Sequence, residues 1–170
     1  MMVQALTVLQ PIRLYRIMFF KQKRRRGLFD TPFQGAIREG VLRAAPWLER
    51  LPPADLAKAF GCAQVLLGEK RFEACGGFSL TDAMRAAIAV QAAVPIIGLD
   101  DDYYPGLVSI LVYPAMFVAE TSRQDEDGVV IEGPEDREGQ TWEQGSLVLS
   151  WEDVERDSRL PEEGYNVVLH

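Results

Sequence analysis

The only histidine in the 170 residues is the last of them, His170. Imidazole is the side chain best suited to bind a transition metal or move a proton near neutral pH, although a lone histidine at a chain end reads on residue type alone as incidental. One imidazole does not make a metal centre. A catalytic zinc takes three protein ligands and keeps a position open. The 25 carboxylates and the two cysteines, Cys62 and Cys75, offer no other set at ligand spacing. Asp100-Asp101-Asp102 lacks the alternating carboxylates around a fixed glycine that mark calcium loops, and reads as an acidic turn ending a helix. Gly76-Gly77 lacks the longer glycine pattern and the lysine of a phosphate loop. Ser150 has no imidazole to activate it other than His170. Two cysteines are too few for a disulfide framework and wrongly spaced for a zinc ribbon, so both are expected as free thiols in a reducing cytoplasm.

The elements that must position His170 lie in residues 146–170. Leu147, Val148 and Leu149 form a short apolar run after Gly145, and predict a buried strand over 147–151. A polar loop punctuated by Pro161 and Gly164 follows. Asn166 is placed to cap a helix, because its side-chain oxygen can accept a bond from an N–H two or three residues on. Val167, Val168, Leu169 and His170 then open that helix, and four residues barely close its first turn.

LVLSWEDV, a short loop and GYNVVLH resemble the region that precedes the metal motif of the Mlc titration factor A family, a bacterial group of zinc-dependent peptidases. LVYPAMFV (111–118), GQTWEQGSLVLSW (139–151) and the helices from about Trp47 onward extend the resemblance over roughly three quarters of the chain. The resemblance implies that His170 is the first histidine of an H-E-x-x-H motif. Histidines four apart share a helix face and reach one metal, and the glutamate beside the first activates the bound water. That glutamate and the second histidine would stand at positions 171 and 174. The resemblance thus implies that the 170 residues contain no catalytic residue and that His170 is their one metal ligand.

Length suits one domain. The net charge of −7 argues against a general nucleic-acid-binding role. The charge is unevenly placed: Lys21, Lys23, Arg24, Arg25 and Arg26 form a basic run, and residues 120–138 hold eight acidic and two basic side chains. Residues 1–20 are apolar apart from Arg13 and Arg16 and their few neutral polar neighbours, and the charge follows rather than precedes them, the reverse of a secretory signal. A signal-anchor reading stays open. The alternatives are a frayed amphipathic tail or a misplaced start, with Met18 the more family-like beginning. Residues 1–28 are accordingly expected to be a poorly ordered extension, and 29–170 the N-terminal part of a peptidase domain, truncated at the metal motif.

Short helical pieces are expected at 37–45 and 46–50. A helix over 54–71 should bury Leu56, Ala59, Phe60, Ala63, Leu66 and Leu67 and leave Lys58, Glu69, Lys70 and Arg71 in solvent. Residues 72–80 read as a turn. Thr81 or Ser79 caps a second helix, 81–98, apolar on nearly all sides except at Arg85, Gln91 and Gly98, and so central to the core. VSILVY (108–113) is the strongest strand and 128–131 a weaker one. Trp142 and Trp151 read as packing around the 147–151 strand.

The predicted fold is α+β: two main helices on a small mixed sheet, leading into an absent zincin-type active-site helix. The resemblance implies a cytoplasmic zinc metallopeptidase acting on peptides, with an Mlc-like transcriptional repressor as a further partner and neither nucleic acid nor membrane expected. Without the glutamate and the second histidine, the 170-residue chain is expected to be inactive and to hold no tight zinc. The alternative is a non-catalytic binding module for a regulator of the Mlc type, with 120–138 as its candidate surface. A fragment without function of its own is the third reading.

Overall fold

Apolar periodicity at 3.6 residues and short β-branched runs divide this chain into helices and strands, and the computed structural model shows how they meet. It describes residues 19–99, 103–115, 139–142, 145–159 and 165–169. Helix α1 covers residues 19–29, α2 Gly35–Ala44, α3 Pro53–Glu69 and α4 Asp82–Ala93. A 3₁₀ turn, Pro46–Arg50, links α2 to α3. Proline opens α3, where a missing N–H costs nothing. The Thr81 hydroxyl accepts from Met84 N (3.3 Å), so Thr81 is the cap of α4. The fold is α+β, as the pattern of elements predicts.

Strands β1 (Arg71–Ala74), β2 (Ser109–Tyr113), β3 (Gly139–Trp142) and β4 (Ser146–Ser150) form one mixed sheet in the order β1-β2-β4-β3. β1 and β4 flank β2 in parallel, and β3 pairs antiparallel with β4. Register aligns Phe72 with Ile110 and Leu147, and Ala74 with Val112 and Leu149. Alternation puts these side chains on one face, and Ile110, Val112 and Leu149 join Val41, Leu48, Leu66 and Ile88 in the core. α4 lies at its centre: Ala86 to Val90 are almost wholly buried. Its small side chains let α2 and α3 approach closely, as at Gly40, where an added Cβ would collide with Ala83.

Four expectations are corrected. Residues 71–74 are a strand, not the end of a helix and the start of a turn; the turn follows, with Gly76 and Gly77 at φ of +61° and +73°. Lys70 is buried rather than solvated, because its ammonium donates to the carbonyls of Tyr104 (2.6 Å) and Leu107 (2.8 Å) and so ties the end of α3 to the approach to β2. The 147–151 strand ends at Ser150. Trp151–Arg159 is helix α5, not loop, and the Ser150 hydroxyl accepts from Asp153 N (3.3 Å) to cap it. Asp100–Asp102, the 128–131 strand and residues 1–18 lie outside the described residues.

The last correction concerns residues 19–28, which form most of α1 instead of a disordered extension. Leu28 and Phe29 lie against Gly68 and Gly61 of α3, each where a Cβ would collide. Arg25 Nε and Nη2 donate to the two Glu69 oxygens, both at 2.8 Å, while its guanidinium stacks 4.6 Å from the Tyr103 ring centroid. The hydrogen bond from Arg25 holds the Glu69 carboxyl below the ordinary carboxylate range, against the opposing effect of burial. A depressed pKa stabilises the fold above the unfolded value of about 4.3, and that stability is lost as pH falls through the folded value. Arg25→Met should therefore cost about 1–3 kcal/mol at pH 7. The gap between wild type and variant should narrow below about pH 4. Urea unfolding at both pH values reads this directly, and a gap independent of pH would remove the ion pair from the account.

Candidate functional site

The stretch expected to open a metal helix is held from three sides. The Asn166 side-chain oxygen accepts from Val168 N (3.0 Å) and Leu169 N (3.3 Å), two and three residues on. Leu169 N also bonds the Asn166 carbonyl (3.0 Å), so 166–169 make one capped turn. Val167 N, which Asn166 does not reach, donates to Asp157 Oδ2 of α5 (3.0 Å). The free N–H groups that begin a helix are thus met by two side chains from different parts of the chain.

The Asn166 amide is itself fixed. Its oxygen is committed to backbone donors, so its nitrogen faces Gln91 Oε1 (2.9 Å). The indole of Trp47 can only donate, and does so to the same oxygen (3.3 Å). These two donors settle which way the Gln91 amide points. Its nitrogen then donates to the Ala87 carbonyl (3.3 Å). Ser158 Oγ lies 2.8 Å from Gln91 Oε1 and also within reach of the Val154 carbonyl. Gln91 and Ser158 are fully buried. Together they join the 3₁₀ turn, α4, α5 and the 166–169 turn through one oxygen.

On α5, Arg156 lies between Asp153 and Asp157. It bonds Asp157 Oδ1 at 3.0 Å and Asp153 Oδ1 more closely. Desolvation works against its charge, yet the two carboxylates hold the guanidinium above its ordinary value. This leaves Asp157 Oδ2 for Val167 N. Beside the turn lies an apolar cavity of about 410 Å³, lined by Ile88, Ala92, Leu107, Leu147, Val168 and Leu169 among others.

His170, the one expected metal ligand, lies outside the described residues. Among the described residues no three of His, Cys, Asp or Glu come together as a metal site, so they supply no zinc set by themselves. Cys62 and Cys75 are both free thiols, as expected. Cys62 is buried, which pushes its thiol up, although a hydrogen bond with Tyr103 works the other way. The acidic 120–138 stretch lies outside the described residues. Trp151 is buried at the start of α5.

Sequence reading missed Asp157, Ser158 and the role of Gln91. A signal existed for Gln91, a lone amide in an otherwise apolar helix, since buried polar groups need partners. Ser150-Trp151-Glu152-Asp153 likewise carries the Ser-x-x-Asp form of a capping box.

Fold and site define an α+β scaffold that holds a capped turn, 166–169, against α4 and α5. The chain belongs to the glucose-regulated metallo-peptidase M90 family, whose sequence profile matches residues 19–170. It is 37% identical over 127 residues to Mlc titration factor A of Serratia proteamaculans (strain 568), covering 75% of this chain and 48% of that protein. It is 34% identical over 125 residues to Mlc titration factor A of Yersinia pestis (strain Pestoides F), covering 74% and 46%. The chain spans about half the length of the curated relatives it matches.

Proposed function

We propose that these residues are the scaffold of a zinc-dependent metallopeptidase of the H-E-x-x-H class, with residues 19–170 as the N-terminal part of its domain and His170 as its first zinc ligand. The observation that carries this reading is the Asn166 cap, whose bonds to Val168 and Leu169 set the direction of a helix that His170 would continue. The family supports a metal-dependent hydrolase of peptides. A catalytic glutamate and a second histidine would follow His170 in the active protein, which would work in the cytoplasm.

The relatives' name ties them to Mlc, and favours a second reading: a non-catalytic module that binds a transcriptional repressor of that type, with 120–138 as its surface. One experiment separates the two. Zinc titration by calorimetry, peptide hydrolysis and capture of a purified Mlc-type repressor are measured on the 170-residue chain and on a chimera extended with a relative's downstream sequence. The short chain should bind no stoichiometric zinc and hydrolyse nothing; the chimera should bind zinc one to one and hydrolyse peptide. In the chimera, His170→Ala should weaken zinc by more than the about 10–100-fold that loss of a group merely orienting a ligand costs. Tight one-to-one zinc binding by the short chain would put the site elsewhere. Repressor capture by the short chain, with an extended chain that stays inert, would favour the module.

A further inference from the structure

The first 29 residues carry seven basic side chains and no acidic one, in a chain whose net charge is −7. Helix α1 sorts the part of this charge that lies within 19–29. Arg24 and Arg25 turn to α3, where Arg24 donates to the Gly68 carbonyl (2.8 Å) and Arg25 pairs with Glu69. The opposite stripe, Phe19, Lys23 and Arg26, recurs at i, i+4 and i+7 and therefore shares one face. Phe20 adjoins it. Lys23 and Arg26 are exposed, and their side chains make no hydrogen bond or ion pair among the described residues. Phe19 and Phe20 are 65% and 60% exposed, the two most exposed large apolar side chains among the described residues.

Two bare aromatic rings are costly to hold in water and do nothing for the core, and the cations beside them have no counter-charge among the described residues. That combination suits an interface with an apolar layer under an anionic surface, where rings enter the acyl boundary and cations remain among the headgroups. Among the described residues no helix is long and apolar enough to cross a membrane. The apolar sequence of residues 1–18, charged only by Arg13 and Arg16, continues the same chemistry. We propose that the outer face of α1, built from Phe19, Phe20, Lys23 and Arg26, docks on an anionic lipid surface.

The face is solvent-exposed and separate from the Arg25–Glu69 pair, so its substitution leaves the fold intact. The test is sedimentation of the full chain with vesicles of phosphatidylcholine alone and of phosphatidylcholine mixed with phosphatidylglycerol. Binding is expected only to the anionic vesicles, and should fall with added salt. Each cation near such a surface is worth about fivefold in partition. Lys23→Glu with Arg26→Glu should therefore weaken binding by at least about 25-fold. Phe19→Ser with Phe20→Ser should weaken it at unchanged charge. Circular dichroism of each variant confirms that the helices remain. No binding to anionic vesicles, equal binding by the charge-reversed chain, or tighter binding to a nucleic-acid duplex than to the vesicles would each overturn the proposal.

Discussion

Replacing Gln91 by leucine should lower the stability of the chain by about 2–4 kcal/mol and loosen the 166–169 turn 75 residues away. Leucine is close to glutamine in volume but branches one carbon earlier, so some of the cost comes from repacking. Most of it comes from donors left behind: the Trp47 indole N–H and the Asn166 amide lose the one oxygen they share, while the Ser158 hydroxyl keeps the Val154 carbonyl. An unsatisfied buried polar group costs about 1–3 kcal/mol, and relief from burying the Gln91 amide offsets only part of that. In a protein of this size the loss corresponds to a fall in Tm of about 5–15 °C. Amide exchange at Val168 and Leu169 should quicken by more than exchange in α3, because the Asn166 amide is no longer oriented. A variant that melts with the wild type, or one in which exchange rises uniformly, would show that the oxygen is not the joint between these elements.

Gly145→Ala should be the most damaging single-methyl addition. Gly145 has φ of +76°, in the left-handed region. An added Cβ there would collide with the Gly106 carbonyl oxygen, which belongs to backbone and cannot rotate away. The Gly145 carbonyl also accepts from Val108 N (2.6 Å) at the point where β2 and β4 begin to pair. Strained backbone alone costs about 1–3 kcal/mol, and the collision adds to it. Gly77→Ala is the control: its φ is +73°, but an added Cβ meets nothing within 4 Å. Gly77→Ala should cost about 1 kcal/mol and Gly145→Ala at least about 3 kcal/mol. Denaturant midpoints with unchanged slope decide the matter, and equal costs at the two glycines would eliminate the collision.

What the sequence shows depends on how local the cause is. Helices α3 and α4, strands β2 and β4 and the Asn166 cap each follow from periodicity or from a bond spanning two or three residues. β1 was hidden because an edge strand needs apolar side chains on one face only, and Arg-Phe-Glu-Ala shows a single large one. α5 was hidden because its inward stripe is half polar: Trp151 and Val154 are buried, but so are Asp153, Asp157 and Ser158. Such a helix reads as loop until the partners of those polar groups are known. The candidate site divides the same way. His170 and Asn166 stand out by residue type. The groups that hold the turn in place stand 10 residues off at Asp157 and 75 off at Gln91, beyond any local pattern.

The Gln91 joint also orders events on the ribosome. The chain emerges from its amino end, so Trp47 and the apolar α4 are available while Ser158 and Asn166 are still unmade. They lie 67 and 75 residues downstream of Gln91. At about 5–20 residues per second, roughly 4–15 s separate the synthesis of Gln91 from that of Asn166. During that interval the Gln91 amide has only the Trp47 indole and the Ala87 carbonyl of its four partners. Completion of this buried network and orientation of the 166–169 turn then become one event, timed by translation of residues 158–166 rather than by collapse of the first helices.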